Sequence, residues 1–163
     1  MSSWPPGLDQ MPGVTSDDSF SIRLRNAFDS GSYSDLTVIC KQRKWKVHRM
    51  QLVQHSPVFE AMVKGLSKGE ATLELKDDDP DAVNHMLRYM YHFCYNFSRE
   101  RTTIVENMRV HKVANKYQIP GLAKEAWFRY GISMVVMPLA EFITGVKEAY
   151  GADGYDEFRK SFL

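Results

Sequence analysis

Apolar positions along the chain switch between a helical and a strand period, and the switches mark out elements. Phe20, Leu24, Ala27 and Phe28 stand at helical spacing and predict a short helix over 20–29, ending near Ser30-Gly31. Leu36-Thr37-Val38-Ile39-Cys40 is an apolar, β-branched run that predicts a buried strand. After the polar turn Lys41-Gln42-Arg43, residues 44–48 alternate, with Trp45 and Val47 on one face and Lys44, Lys46 and His48 on the other. Together the two runs predict a β-hairpin with one face on a core. A short helix over Met50–Val53 follows. Ser56 as N-cap and Pro57 at the first helical position open another, with Val58, Phe59, Met62 and Val63 as its apolar side. Gly65–Gly69 reads as a loop and Thr72–Leu75 as a third short strand.

From there on the pattern is helical. Asp79-Pro80 repeats the cap signature, with Asp81 in the first turn, and Val83, Met86, Leu87, Met90 and Cys94 follow at steps of three and four. Thr103-Ile104-Val105-Glu106 is a capping box, and Val110, Val113, Ala114 and Tyr117 form the stripe of the helix it starts. Ile119-Pro120-Gly121 breaks the chain before a helix over Leu122–Tyr130. Another is expected over Pro138–Tyr150, with Leu139, Phe142, Ile143 and Val146 inward. Gly151 and Gly154 interrupt, and Tyr155–Leu163 begins one more helical segment. The layout is α+β, a small sheet at one end of a helical cluster.

Composition narrows the picture. The chain has 163 residues, 44% hydrophobic and 25% charged, which suits one compact domain plus tails. Residues 1–19 hold three Pro, two Gly and four Ser and read as a flexible tail. A formal net charge of +1 supplies no field to draw the chain onto nucleic acid or an anionic membrane. Two cysteines, Cys40 and Cys94, exclude a disulfide-dense scaffold and read as buried free thiols. No apolar run is long enough to span a membrane, and the Met1-Ser2-Ser3-Trp4-Pro5-Pro6 start does not resemble a secretory signal. Cytoplasm or nucleus is therefore the expected compartment.

At this point the order of elements and the residues agree on one family. Ser34-Asp35-Leu36-Thr37-Val38 resembles the opening of a BTB/POZ domain. Lys46-Val47-His48-Arg49-Met50-Gln51-Leu52 is similar to that family's Val-His-basic segment, and Ser56-Pro57-Val58-Phe59 to its Ser-x-x-Phe helix start. Leu73-Glu74-Leu75 with Asp77-Asp78-Asp79-Pro80 resembles its third strand and acidic turn. Leu87-Arg88-Tyr89-Met90-Tyr91 and Val113-Ala114-Asn115-Lys116-Tyr117 resemble two of its helices. The acidic run, Ile119-Pro120-Gly121-Leu122 and the helical tail look closest to short BTB proteins of filamentous fungi. The resemblance implies a BTB/POZ domain over 20–130 and a helical extension over 131–163. Asn115 stands where the pattern has Asp, His111 where it has Tyr, and the Glu before the third strand is displaced to Glu70.

The function implied is a non-enzymatic protein-interaction module. It would self-associate and act as a scaffold or as a substrate adaptor for a cullin-type ubiquitin ligase. A transcriptional regulator recruiting corepressors is the alternative, and an enzyme the least favoured class. By the resemblance, Phe20, Leu24 and Phe28 are candidate anchors of a homodimer, Asp35 and Arg49 line a charged pocket near it, and Leu66 and Glu70 lie in the cullin-facing loop. The helices from Pro138 onward would extend the cullin-facing surface.

Competing chemistries find little support in the residues. Asp35 and His48, at the start of one strand and the end of the next, read as a structural polar pair rather than an acid–base pair. Of the five histidines, His85 and His92 are two turns apart on one helix, and with no Cys-x-x-Cys or His-x-x-x-His pair no metal site is expected. No phosphate-binding glycine loop and no nucleophile elbow occurs, so neither a cofactor nor a catalytic residue is expected. Lys41, Arg43, Lys44, Lys46 and Arg49 cluster on the hairpin and read as a solvated face rather than a nucleic-acid surface. Met50, Met62, Met86, Met90 and Met108 read mostly as core filler.

Overall fold

In the computed structural model, which describes residues 20–67, 69–95 and 102–162, β1 (Leu36–Cys40) and β2 (Arg43–Val47) pair antiparallel, Val38 opposite Trp45. Lys41 takes a positive φ of 52°, so a two-residue turn closes the hairpin, and β2 begins one residue earlier than the alternation predicts. β3 (Thr72–Glu74) lies parallel to β1 on its other side, which gives the order β2-β1-β3. The expected tail over 1–19 falls outside the described residues.

Helices surround this sheet. α1 (Phe20–Ser30) precedes it, and α2 (Arg49–His55) and α3 (Pro57–Lys64) sit between β2 and β3. α4 (Pro80–His92), α5 (Ile104–Lys116) and α6 (Pro120–Val136) follow, then α7 (Leu139–Gly151) and α8 (Asp156–Ser161). The caps work as the sequence predicts. Ser56 Oγ accepts from Phe59 N, Asp79 from Asp81 N and Ala82 N, and Thr103 with Glu106 closes a reciprocal capping box. Each satisfies backbone donors that a helix start otherwise leaves open. Ser56 is buried, and its hydroxyl also donates to the Tyr117 carbonyl, which ties the start of α3 to the end of α5.

One apolar cluster joins the sheet to the helices. Val38, Cys40 and Val47 meet Leu52, Phe59, Val83, Met86, Leu87 and Met90, all fully buried. Met108 is also buried, but Met50 stands exposed on α2. Phe59 stacks on Tyr117 at 4.5 Å between ring centroids. A second cluster of Ile104, Met108, Tyr130, Ala149, Tyr155 and Phe158 holds α7 and α8 against α5 and α6.

Several expectations need correction. α6 runs on to Val136 instead of stopping near Tyr130, because Gly131 sits inside the helix rather than ending it. α4 ends at His92, with Phe93 left-handed at φ 58°, so Cys94 lies outside the helix and is half-buried while Cys40 is buried. Arg129 donates to the Cys94 sulfur at 3.3 Å. On α7 the expected inward face holds only in part: Phe142 and Val146 are half-buried, with Phe142 edge-on to Phe162 at 5.4 Å, but Leu139 and Ile143 are exposed and Gly145 and Ala149 take the buried positions. The reason is close approach. A Cβ on Gly145 would stand 2.1 Å from Ile104 Cδ1, so only a residue without a side chain lets α7 settle against the start of α5.

His111, on α5, is wedged into the second cluster. Phe158 meets its ring edge-on at 5.0 Å, and Trp127 lies at 5.8 Å. Asn115 Nδ2 donates to Nδ1 at 3.2 Å, which leaves the Nε2 proton facing the Glu157 carboxylate at 3.6 Å. Burial pushes the His111 pKa below its ordinary value, against the opposing pull of Glu157. His55 and His92 are depressed in the same way.

Two outcomes are expected. Ser56→Ala should cost about 2 kcal/mol in a urea titration, since it removes an N-cap and leaves a buried carbonyl without its donor. A histidine depressed in the folded state favours folding fully above its unfolded pKa of about 6.5, and that contribution is lost as pH falls below it. Thermal stability should therefore decline from pH 7 to pH 5. His111→Gln should make that decline shallower, and an unchanged slope would count against the buried neutral ring.

Candidate functional site

Asp35 sits just before β1, and its N–H donates to the Val47 carbonyl at 3.2 Å. Its Oδ1 accepts the Arg49 backbone N–H at 2.8 Å, and Arg49 Nε returns to the Asp35 carbonyl at 3.3 Å. The same guanidinium donates to the Glu70 carbonyl, while Glu70 Oε2 accepts from Ser67 N at 3.1 Å. The start of β1, the start of α2 and the loop before β3 thus converge on Arg49. Its planar fork can hold two acceptors at fixed angles, which a lysine cannot do. Leu66, in the same loop, is half-buried against the main core.

The expected Asp35–His48 pair does not form. Asp35 is engaged by Arg49, and His48 turns the other way. His48 Nε2 lies 2.8 Å from the Ser32 carbonyl, which can only accept, so Nε2 carries the proton. Nδ1 then accepts the Tyr91 hydroxyl at 2.9 Å, and that oxygen accepts the His48 backbone N–H at 2.8 Å. Tyr91 is fully buried, and burial pushes its pKa up to about 12. His48 is thus a structural link between the Ser32 carbonyl and Tyr91.

The three residues assigned to the dimer face divide. Phe20 is 73% exposed, while Leu24 and Phe28 are partly buried against the chain's own core. Phe28 stacks on Tyr91 at 4.6 Å. Among the hairpin bases, Arg43 pairs with Asp81 at 2.5 Å and Lys46 donates to Thr37 Oγ1 at 3.2 Å. Lys44, Lys46 and Arg88 border a hollow of 390 Å³ beside Trp45.

A larger cleft of 710 Å³ lies where the acidic turn, α5 and the α7–α8 connection meet. The buried Asp78 carboxylate accepts from Lys116 Nζ at 2.8 Å on both oxygens and from the Tyr117 hydroxyl at 2.6 Å. Burial, then the bond to Asp78, pushes the Tyr117 phenol up. Cys40 Sγ donates to the Asp78 carbonyl at 3.4 Å, and burial raises that thiol's pKa, so it is not an activated thiolate.

Further along the cleft, Arg109 grips Glu148 through Nε at 2.8 Å and Nη2 at 3.0 Å. It also reaches Asp79 Oδ2 at 3.4 Å. The Tyr155 hydroxyl adds a bond to Glu148 at 3.1 Å. The Arg109 bond holds the Glu148 carboxyl below its usual range. Lys112 donates to the Asp153 carbonyl at 2.6 Å. These contacts clamp the C-terminal helices to α5. The signal for them in the sequence was the run of bases Arg109, Lys112 and Lys116 at steps of three and four, facing the Asp77-Asp78-Asp79 run.

What the surface offers is paired charge and apolar side chains. Its tightest polar contacts link elements of the fold. Among the described residues no cluster of His, Cys, Asp or Glu is arranged to hold a metal ion. Among the same residues, no helix is long and apolar enough to cross a membrane.

Known proteins with this pattern agree. Residues 24–127 match the BTB/POZ domain family. Longitudinals lacking protein-like of Drosophila melanogaster is 28% identical over 101 residues, which covers 62% of this chain and 76% of that protein. Kelch-like protein 40a of Danio rerio is 28% identical over 101 residues, 61% of this chain but 16% of that protein. Protein abrupt of Drosophila melanogaster is 29% identical over 100 residues, 61% of this chain and 10% of that protein. For the last two relatives, the chain therefore corresponds to a small part of a much longer protein. The matched stretch runs from within α1 to within α6 and takes in the hairpin, the Arg49 junction and the acidic turn, and on that span the chain belongs to the BTB/POZ domain family.

Proposed function

We propose that the chain is a self-associating interaction module that serves as a scaffold or as a substrate adaptor for a cullin-type ubiquitin ligase. BTB/POZ domains are protein-interaction modules, and no catalytic step is needed for this role. The observation that carries the adaptor reading is the Arg49 bridge. It fastens the Glu70 end of the loop before β3 to the start of β1, so that end is already held when a partner arrives and less entropy is lost on docking. Residues 20–130 then form the module, and 131–163 a helical extension clamped to it through Arg109 and Glu148.

Self-association would use the α1 face. Phe20 is its most accessible anchor, and Leu24 and Phe28 support α1 from beneath. A two-fold contact would bury the same patch on both copies.

Purification of the tagged chain from native extract should retain a cullin. Glu70→Lys, at an exposed position, should reduce the retained cullin roughly tenfold, which is about 1.4 kcal/mol of binding free energy. By light scattering the chain should be a dimer that Phe20→Asp weakens without unfolding it. A chain that retains no cullin and stays monomeric at tens of micromolar, on the order of the weakest specific dimers, would defeat both halves of this reading.

A further inference from the structure

The 390 Å³ hollow beside Trp45 is enclosed by the end of α1, strand β2 and α4. Trp45 stands on one face of β2, where its indole N–H donates to Asn84 Oδ1 on α4 at 3.1 Å. Lys44 and Lys46 stand on the other face. All three line the hollow, so it runs along the outer edge of the strand. The end of α1 forms its far wall. Gly31 takes a φ of 67°, and a Cβ there would stand 3.0 Å from Lys46 Cβ, so glycine is what lets this turn come so close to β2.

The edge itself is open for hydrogen bonding. Thr37 N–H donates to the Ala71 carbonyl, and Leu75 N–H donates to the Ile39 carbonyl, so residues 37 and 39 of β1 turn their backbone groups towards β3. Alternation then directs the groups of Val38 to Trp45 opposite, and those of Lys44 and Lys46 outward. With the order β2-β1-β3, β2 is an edge strand. Among the described residues, no hydrogen bond from another element reaches the outward groups of Lys44 and Lys46. An extended peptide can add to such an edge as a further strand.

Charge selects the peptide. Lys44, Lys46 and Arg88 bring positive charge to the hollow against a single carboxylate, that of Asp29. Among the described residues none of the three cations has an ion-pair partner. Lys46 Nζ donates to the neutral Thr37 hydroxyl at 3.2 Å, and Arg88 Nε is buried without an acceptor. Edge lysines alone are a common guard against edge-to-edge pairing. Arg88 is more than such a guard, because it stands on a helix and its unmet donor protects no edge. The lysines also exclude a second copy of this strand, which would set lysine against lysine across the new pair. We propose that the outer edge of β2 takes an acidic segment of another protein as a fourth strand. Lys44 and Lys46 pair with its carboxylates on one face, and Arg88 pairs with one on the Trp45 face. The acidic residues must be consecutive, because neighbours along a strand point to opposite faces. The hollow lies at the other end of α1 from Phe20, and the inference rests on neither self-association nor the adaptor role.

Titration of the isotope-labelled full chain with the end-blocked peptide Ser-Val-Glu-Glu-Glu-Val-Thr-Ser, followed by NMR, tests this. The backbone amides of Lys44 and Lys46 and the Trp45 indole N–H should shift. Those two amides should also exchange more slowly with deuterated solvent once the peptide is bound. Lys44→Glu and Arg88→Gln, each checked for an intact fold by circular dichroism, should weaken binding roughly tenfold. Raising the salt from about 50 to 300 mM should weaken it as well. Asp29→Asn removes the opposing carboxylate and should tighten binding, a gain that a damaged fold cannot mimic. The inference is overturned if the peptide at about 1 mM moves none of these signals, or if both Lys44→Glu and Arg88→Gln bind like wild type. It is equally overturned if the Lys44 and Lys46 amides gain no protection, or if inorganic phosphate or a short oligothymidylate binds as tightly with the same shifts, since the hollow is then a general anion patch.

Discussion

The Tyr91 hydroxyl is the point on which the hairpin, α1 and α4 depend. It donates to His48 Nδ1 and accepts the His48 backbone N–H, while its ring carries Phe28. His48 is also the N-cap position of α2, so one phenol ends β2, starts the next helix and seats α1. The first contact needs a hydroxyl that still carries its proton and a ring nitrogen that does not. Burial favours the protonated phenol by raising its pKa, and the Ser32 carbonyl takes the proton on Nε2, which leaves Nδ1 as the acceptor. A buried polar group that is fully satisfied in this way specifies a single arrangement, because any other would leave a donor or acceptor unmet.

Much of this architecture was legible because the relevant signals are local. Ser56-Pro57, Asp79-Pro80 and the Thr103–Glu106 box lie within one turn of the helices they start, and each is found in that role. The strand order was not legible, since pairing of β1 with β3 depends on residues more than thirty positions apart, such as Thr37 and Thr72. The partner of His48 was hidden for the same reason: Tyr91 is far away in sequence, and Asp35 only seemed near because both residues flank the hairpin. Of the proposed site, the resemblance names Asp35 and Arg49 only as residues lining a charged pocket; the direct bond between them is visible in the structure alone. The link from Arg49 to the Glu70 carbonyl was equally hidden, because backbone acceptors leave no mark in a side-chain pattern.

Two departures from the family pattern turn out to be one feature. His111 stands where a tyrosine is usual and Asn115 where an aspartate is usual, and the two side chains are hydrogen-bonded to each other. An aspartate at 115 would offer an acceptor to a ring nitrogen that is itself an acceptor here, and would favour a protonated imidazole. The amide instead donates, which keeps the ring neutral among Trp127 and Phe158. The pair is thus matched to the α8 side chains that pack on it, and the departures belong to the way the C-terminal helices are attached.

That attachment decides which surfaces remain for partners. Arg109, Lys116, Asp78 and Glu148 bind one another across the large cleft, so a ligand entering there would have to displace contacts that hold the fold together. Opening such a pair exposes charge that has already lost part of its hydration, which makes the cleft an unfavourable place to dock. The periodic apolar side chains of α7 meet the opposite situation. Gly145 and Ala149 take the most buried positions, so Leu139 and Ile143 are turned towards solvent. The small residues that let α7 pack closely on α5 are therefore the same feature that leaves its aliphatic side facing outward.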